Sequence, residues 1–160
     1  MKTLRLEGTR IVRAPRQAVY EIMTDFERFP VRFPAVAKSV HIVHLEDRRF
    51  VVEARTKAFL WSKTYQVRME GELRPPEGFV STNTSSPGVE QESFMMDEVQ
   101  EGTRVRYLNV VEVRSWLFRL FDSVLLRRVA LWYWKREVID RIAGIVAAER
   151  QDRAQPKKPM

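Results

Sequence analysis

The chain contains no cysteine, which excludes disulfide bonds, a thiol nucleophile and any cysteine-based metal site. It also lacks a run of about 18 uninterrupted apolar residues, which a membrane-spanning helix would need. The first ten residues, MKTLRLEGTR, include no long apolar segment and no cleavage-like site, so we expect no secretory signal there. Together these absences favour a protein of the reducing cytoplasm, with at most a peripheral contact at a membrane.

Glycine and histidine are also scarce. The six glycines are scattered at predicted turns, and neither a G-x-G-x-x-G nor a G-K-[ST] loop occurs, which argues against nucleotide binding by those routes. The only histidines, His41 and His44, are three residues apart on one predicted strand, so we expect them on opposite faces. No H-E-x-x-H pattern is present. We therefore predict neither a metal site nor a cofactor.

Positive charge is abundant. Lysine and arginine outnumber aspartate and glutamate by 28 to 21, which gives a net charge of +7. Such a surface can attract ribosomes, nucleic acid or anionic lipid. Because acidic residues are interspersed among the basic ones, an ordinary solvated surface is the simpler interpretation, and we predict no sequence-specific DNA binding. The oligomeric state is left open.

Alternating and helical patterns follow one another along the chain. Leu4 to Arg13 alternates as a half-buried strand does. Val19, Ile22, Met23 and Phe26 recur at helical spacing, and Pro30 and Pro34 limit a second short helix. Six further strand-like runs are separated by short turns, which is typical of an antiparallel meander. These runs are Ser39 to Leu45, Phe50 to Thr56, Trp61 to Leu73, Phe79 to Thr84, Val89 to Val99 and Thr103 to Val113.

The period becomes helical again from about Ser115 to Arg150. In a straight helix, Arg128 and Lys135 would fall near the centre of its apolar stripe. Either Arg128 faces the interior and meets a polar ligand group, or a bend turns both residues to solvent. We predict one domain over residues 1–150 and a disordered tail over 151–160, which has two prolines and little apolar content.

This order of elements predicts an α+β helix-grip architecture. A curved antiparallel sheet of about seven strands would wrap around a long C-terminal helix, and two short helices would follow the first strand. That helix, at 1.5 Å per residue, would be about 45 to 50 Å long and is the only element long enough to cover the sheet. Such an arrangement leaves a cavity between sheet and helix.

Several residue pairs near the start resemble the opening of the START/Bet v 1-like (SRPBCC) superfamily of polyketide cyclase/dehydrase and lipid-transport proteins. They are Ala14-Pro15, Val19-Tyr20, Asp25-Phe26-Glu27, Phe29-Pro30 and Phe33-Pro34. The layout is similar to the coenzyme Q-binding and ribosome-association toxin-like branch. That branch usually has Gly-Pro-Phe and Trp-x-Phe, whereas this chain has Ser86-Pro87-Gly88 and Ser93-Phe94-Met95. The resemblance implies the same helix-grip fold and a hydrophobic-ligand cavity.

Aromatic, methionine and amide side chains on the strands are the best candidates for lining that cavity, because an apolar pocket with a few polar anchors suits a hydrophobic ligand. The alternative is that they fill a solid core. The predicted lining residues are Phe33, Trp61, Tyr65, Met69, Met95, Tyr107, Asn109, Phe121, Leu125, Arg128 and Trp132. We expect a non-enzymatic binder or carrier of a lipid, isoprenoid quinone or polyketide-like molecule.

Two other functions stay open. A cyclase or aromatase would need a general acid or base in the same cavity, for which the candidates are Tyr65, Tyr107, Glu53 and Arg128. A protein that contacts ribosomes or a membrane would use aromatic residues beside arginines on the terminal helix. These aromatic residues, which we expect off the apolar stripe, are Trp116, Phe118, Tyr133 and Trp134.

Overall fold

A computed structural model describes residues 2–57, 64–113 and 124–154. Its seven strands form one antiparallel sheet in the order β1-β7-β6-β5-β4-β3-β2. Each strand from β3 to β7 therefore lies beside the strand that precedes it in the chain, whereas β1 pairs with β7 and β2 lies at the opposite edge of the sheet. The strands are β1 (Lys2–Val12), β2 (Ala37–Glu46), β3 (Arg49–Lys57), β4 (Thr64–Arg74), β5 (Gly78–Ser85), β6 (Gly88–Val99) and β7 (Gly102–Val113).

The helices occupy the two predicted places. After β1 come α1 (Arg16–Thr24), a 3₁₀ turn (Phe26–Arg28) and α2 (Phe29–Arg32). The terminal helix consists of α3 (Val124–Trp134), a π-helical turn (Lys135–Ile139) and α4 (Asp140–Ala154). The predicted fold class is thereby confirmed. Helix α4 continues four residues beyond the predicted domain end at Arg150, and residues 155–160 of the predicted tail lie outside the described residues.

The core lies between the sheet and the two helical regions. Four phenylalanine rings form a chain across it, with Phe26 4.8 Å from Phe50 and Phe79 5.7 Å from Phe94, centroid to centroid. The helices cover these rings with aliphatic side chains, because positions three and four apart share a helix face. The buried helical residues are Val19, Ile22, Met23, Val138, Ile139, Ile142 and Val146.

The π-helical turn changes which residues of the terminal helix face inward. A π turn adds one residue to the local repeat, so the residues before it rotate by about 100° relative to a straight helix. Trp134 consequently packs against the core at the place that a straight helix would give to Lys135. Lys135 instead donates from Nζ to Asp140 Oδ2 at 2.7 Å near the surface. The bend therefore removes the buried cation that a straight helix would require.

A buried arginine fixes the terminal helix to α2. Arg32 is 9% exposed, and its guanidinium donates to Glu149 Oε1 at 2.6 Å and to Asp25 Oδ2 at 3.2 Å. Nearby, Tyr133 Oη donates to the Ala35 carbonyl oxygen at 2.6 Å. The contacts of Arg32 with Glu149 and of Tyr133 with Ala35 join elements that are far apart in sequence, so they hold the helix against the sheet.

Two glycines give a matched test of the backbone. Gly78 has φ +142°, and a Cβ there would overlap the carbonyl oxygen of Phe94. Gly144 is exposed on α4, and a Cβ added there would meet nothing within 4 Å. We expect Gly78→Ala to destabilise the protein by at least about 2 kcal/mol, from the left-handed φ and the overlap. Gly144→Ala should stabilise it by about 0.5 to 1 kcal/mol, because alanine favours a helix more than glycine does.

Urea unfolding of both variants measures the two free energies. Equal stability of Gly78→Ala and the parent protein would contradict the described turn between β4 and β5. Destabilisation by Gly144→Ala would contradict the helical assignment of that position.

Candidate functional site

The inward face of the sheet changes from apolar to polar along three neighbouring strands. On β5 the inward residues run from Phe79 to Ser81 and Asn83, and on β6 they run from Phe94 to Glu92 and Glu90. On β7 the same step runs from Tyr107 to Asn109. The register aligns these steps, because Phe79 pairs with Phe94 and Phe94 with Tyr107, while Ser81 pairs with Glu92 and Glu92 with Asn109. Polar side chains thus meet at one end of the interior.

Amides hold the two carboxylates of this polar cluster, which we define as Ser81, Asn83, Glu90, Glu92, Tyr107 and Asn109. Asn83 Nδ2 donates to Glu92 Oε2 at 3.0 Å, and Asn109 Nδ2 donates to Glu90 Oε2 at 3.3 Å. Ser81 Oγ donates to Asn83 Oδ1 at 2.9 Å, which orients that amide. The hydrogen bonds run diagonally between strands, so the positions of both carboxyl groups depend on the sheet register.

Burial shifts the acidity of these groups. Removal from water disfavours the charged form and raises the pKa of Glu92 from 4.5 to about 7, although the hydrogen bond from Asn83 acts in the opposite direction. Burial also raises the pKa of Glu90 and lifts the pKa of Tyr107 well above its usual range. Glu92 can therefore gain or lose a proton near neutral pH, whereas Tyr107 stays protonated.

The cluster has more acceptors than donors. Asn109 is 7% exposed, and its Oδ1 atom has no hydrogen-bond partner while its Nδ2 atom donates to Glu90 and to Tyr107 Oη. Within the described ranges, neither Glu90 nor Glu92 forms an ion pair with a lysine, arginine or histidine. A buried acceptor without a donor is unfavourable, so the cluster is suited to a group that supplies N–H or O–H bonds.

The two glutamates are more accessible than the core residues beside them, and aromatic rings lie next to them. Glu90 and Glu92 are half-buried although they point to the inward side, whereas Phe94, two residues further along β6, is 0% exposed. Tyr107 stacks on Trp134 of α3 with ring centroids 4.1 Å apart, and Trp134 also meets the Phe94 ring edge-on. The phenylalanine end of the interior is thus fully buried, whereas the two glutamates remain partly accessible.

Some of the predicted lining residues lie in or beside this cluster. Tyr107 and Asn109 belong to it, and Tyr65 and Met69 occupy inward positions on β4, with Met69 paired to Asn83. Phe33 is 0% exposed and packs on Phe29 at 4.6 Å, within the core beside α2. Trp61 and Phe121 lie outside the described residues.

Four other predicted lining residues are placed differently. Met95 lies on the outer face, because strand alternation gives the inward positions to Phe94 and Met96. Leu125, Arg128 and Trp132 face solvent, since the π turn rotates α3 away from the phase of a straight helix. Glu53, considered as an acid or base, is also on the outer face, where Arg68 Nη1 donates to it at 2.9 Å.

The expectation about the histidines was wrong. A β-bulge between Ile42 and His44 adds one residue, so His41 pairs with Glu53 and His44 with Val51, which share the outer face. Both histidines are exposed. Within residues 2–57, 64–113 and 124–154, no group of three or more metal-ligating side chains is found.

Sequence reasoning missed Glu90 and Glu92, along with Ser81 and Asn83. A signal was present, because in the stretch Glu90 to Met96 the apolar Phe94 and Met96 have the same alternation phase as the two glutamates. Phe79, Ser81 and Asn83 share one phase in the same way.

The outer face of the sheet carries an open groove of about 740 Å³. Apolar side chains on its floor come from Val51, Val80, Leu108 and Val110. The groove lies on the opposite side of the sheet from the inward-pointing carboxylates and the orphaned Asn109 acceptor. Ser81 and Glu92 also border the groove, but within the described ranges none of its lining residues carries a buried polar side-chain atom without a hydrogen-bond partner. The polar cluster is therefore the stronger candidate site.

Among the helices within the described ranges, none combines the length and the apolar character needed to cross a membrane. No protein-family model matches the sequence, and no curated protein matches it either.

Solved structures do resemble this one. The TTHA0849 protein of Thermus thermophilus is 18% identical, with a TM-score of 0.77 over 91% of this chain and 99% of that one. A START superfamily protein of Mycobacterium smegmatis is 13% identical, with a TM-score of 0.70 over 90% of this chain and 97% of that one. The di-domain ARO/CYC protein BexL of the BE-7585A biosynthetic pathway is 16% identical, with a TM-score of 0.72 over 89% of this chain. This chain spans 49% of BexL, about half its length. At these identities the similarity establishes the fold, and the chain has the helix-grip fold of the START/Bet v 1-like superfamily.

Proposed function

We propose that the protein binds a mainly apolar small molecule between the sheet and the terminal helix, with the polar end of that molecule at the Glu90–Glu92 cluster. The observation that carries this proposal is the pair of inward, partly accessible carboxylates that have no cation partner in the described ranges. Burying such groups costs free energy, so their presence inside the fold points to a binding or catalytic role. A lipid, an isoprenoid or a polyketide-like molecule fits this description.

The packed end of the interior supports an apolar body for the ligand. The ring edges of Phe94, Tyr107 and Trp134 border the cluster, and aromatic walls beside a few polar anchors are typical of small-molecule sites.

Binding of a neutral apolar probe tests the proposal. N-phenyl-1-naphthylamine fluoresces strongly in apolar surroundings and should bind the parent protein. Asn109→Phe fills the inward position and should weaken binding at least tenfold, whereas the matched control Val110→Phe alters the outward side chain of the next residue. Circular dichroism checks that both variants fold. Mass spectrometry of a solvent extract of the purified protein gives an independent readout. Equal binding by both variants, with no co-purified molecule, would contradict an interior site.

The polar cluster also favours a second function, acid–base catalysis on the bound molecule. Glu92 has a pKa of about 7, close to the value that lets one carboxyl group accept and return a proton at neutral pH. In an aldol cyclisation, Glu92 would take a proton from a methylene carbon between two carbonyls, the carbanion would attack a further carbonyl carbon, and the carboxyl would return the proton to the new alkoxide. In a second step Glu92 would take the remaining proton of that methylene carbon and give it to the hydroxyl as the C–O bond breaks, so that a C=C bond forms and water leaves. A structure of similar fold, BexL, is an ARO/CYC protein.

A synthetic poly-β-ketone distinguishes the enzyme from the carrier. The enzyme would produce a species lighter by one water, seen by mass spectrometry, and Glu92→Gln would remove that activity while the parent and variant still bind the neutral probe. If the protein binds the poly-β-ketone but forms no lighter product, the enzymatic function is wrong and only the carrier function remains.

A contact with an anionic membrane is a further proposal, supported by one exposed stripe on the terminal helix. Leu125 is 68% exposed and Trp132 55% exposed, and Arg128 lies between them on the same helix face. The guanidinium of Arg136 stacks over the Trp132 ring at 5.3 Å. Apolar side chains that alternate with arginines match the boundary between lipid headgroups and acyl chains.

Liposome sedimentation measures this contact. We expect the protein to bind vesicles that contain phosphatidylserine more tightly than pure phosphatidylcholine vesicles, and less tightly as salt increases. Arg128→Gln should weaken binding about fivefold, which corresponds to roughly 1 kcal/mol for one basic residue at the surface. Trp132→Ala should weaken it as well.

The control is Val31→Ala, which changes an exposed apolar residue on α2. Binding to the vesicles that neither Trp132→Ala nor Arg128→Gln reduces would contradict the proposed stripe. If the protein sediments with ribosomes and not with vesicles, the membrane proposal is wrong. Ribosomes, the other partner that the net charge suggests, would then take its place.

A further inference from the structure

We propose that the interior site selects ligands that carry a protonated amine on an apolar or aromatic body. This inference rests on the proposed binding function and specifies the chemistry of the ligand's polar end. The geometry that points to it is a set of three hydrogen-bond acceptors on the paired strands β6 and β7, namely the carboxylates of Glu90 and Glu92 and the unpartnered Oδ1 of Asn109.

The amide and serine donors of the cluster are already engaged. Asn83 and Asn109 donate to the carboxylates at 3.0 and 3.3 Å, and the Ser81 hydroxyl donates to Asn83. The orientation of the Asn109 amide follows from this, because its Nδ2 atom must face the Glu90 carboxylate, which leaves Oδ1 without a donor. An ammonium group supplies three N–H donors, whereas a hydroxyl supplies one.

The charges around the two carboxylates also favour a ligand with a protonated amine. The titratable groups that face the carboxylates are Tyr65 on β4 and Tyr107 on β7, both of which are neutral near pH 7, and α3 contributes the uncharged Trp134. No basic side chain in the described ranges pairs with either glutamate. A cationic ligand would therefore supply the charge that these neighbours lack, while an anionic ligand would be repelled.

The rings next to the cluster suit the rest of such a molecule. Trp134 stacks on Tyr107 and contacts Phe94, so an apolar or aromatic body would lie against their edges. A cation close to an aromatic ring gains further stabilisation, with Trp the most favourable partner.

Three probes that share one ring system test the selectivity. We would measure binding of 2-naphthylmethylamine, 2-naphthalenemethanol and 2-naphthoic acid to the full chain by calorimetry at pH 7.5. The amine should bind at least tenfold more tightly than the alcohol, and the acid should bind most weakly. Binding of the amine should also release protons, seen as an enthalpy that depends on the buffer, because an adjacent cation favours ionised Glu92.

Variants assign the preference to the carboxylates. Glu92→Gln and Glu90→Gln should each reduce the preference for the amine over the alcohol, and the double variant should abolish it. The matched control is Glu72→Gln, which removes an exposed carboxylate from the outer face of β4 and should keep the full preference.

The outcomes separate the two levels of the proposal. If the alcohol binds as tightly as the amine, or if the double variant keeps the preference, the selectivity inference is overturned while the binding site stands. If none of the three probes binds, both this inference and the proposed binding function are overturned.

Discussion

Glu92→Gln is expected to make the protein more stable at pH 8 by roughly 2 kcal/mol and to leave its stability almost unchanged at pH 4.5. Burial raises the pKa of Glu92 from 4.5 to about 7 in the folded state. Between those pH values the folded protein binds more protons than the unfolded chain, so its stability falls as the pH rises. Above about pH 7 the folded protein carries an ionised interior carboxylate, and the penalty is complete.

The magnitude follows from the size of the pKa shift. One pKa unit corresponds to about 1.4 kcal/mol, so the rise from 4.5 to about 7 sets an upper limit of about 3 kcal/mol. Because the Glu92 side chain is half-buried, solvent screening lowers the expected value to roughly 2 kcal/mol. Glutamine keeps the shape and can still accept from Asn83.

Urea unfolding of the parent, Glu92→Gln and the control Glu72→Gln at pH 5, 6, 7 and 8 checks this result. The parent and the control should lose stability together between pH 5 and 7, and the difference from Glu92→Gln should open over the same interval. A constant difference at all four pH values would show that Glu92 does not titrate within this range in the folded protein.

Most of the strand order was predictable from the sequence because each strand from β3 to β7 pairs with the one before it. Alternation over Phe50 to Thr56 and Thr103 to Val113 identified strands whose observed ends lie within one residue of the predicted ones. Most strand pairs are therefore formed by consecutive strands, and only the pairing of β1 with β7 is distant in sequence. Pro15 and Pro34 likewise marked the limits of the first helical region.

The inward face of the terminal helix was not predictable from a period of 3.6 residues. The pattern gave Ile142 and Val146 correctly as the buried residues of α4, since that part is regular. The additional residue in the π turn rotates the preceding residues of the terminal helix about its axis. Trp134 therefore faces inward and Trp132 faces outward. The prediction that Leu125 and Arg128 line the cavity was wrong for the same reason. Such a turn has no sequence signature comparable to proline.

The site was only partly predictable because it depends on side chains from three strands that come into register. Tyr107 and Asn109 were identified from alternation on β7 alone. Glu90 and Glu92 were missed, since a glutamate on a strand is most often exposed, and only the shared phase with Phe94 places them inside. Their relation to Asn83 and Asn109 requires the observed register between strands.

Phe94→Ala is expected to destabilise the protein by about 3 to 5 kcal/mol, a large part of the stability of a typical domain. Phe94 is 0% exposed, stacks on Phe79 with ring centroids 5.7 Å apart, and meets Trp134 at 6.2 Å. Alanine would lose the transfer free energy of the ring and leave a cavity at the centre of the sheet, where the surrounding strands cannot collapse. Chemical unfolding followed by tryptophan fluorescence measures the loss.

Met95→Ala is the matched control, because Met95 is adjacent in the chain, similar in size and on the outer face. Its half-buried side chain touches solvent, so we expect a loss below about 1 kcal/mol. Phe94→Leu, with a smaller expected loss of about 1 to 2 kcal/mol, keeps the comparison possible if the alanine variant does not fold. Residues 94 and 95 are neighbours on β6, so their side chains point to opposite faces of the sheet. The comparison therefore tests which residues of β6 face inward, and the same alternation places Glu92 in the interior. Equal losses at both positions, or a larger loss at Met95, would reverse that phase and remove Glu90 and Glu92 from the site.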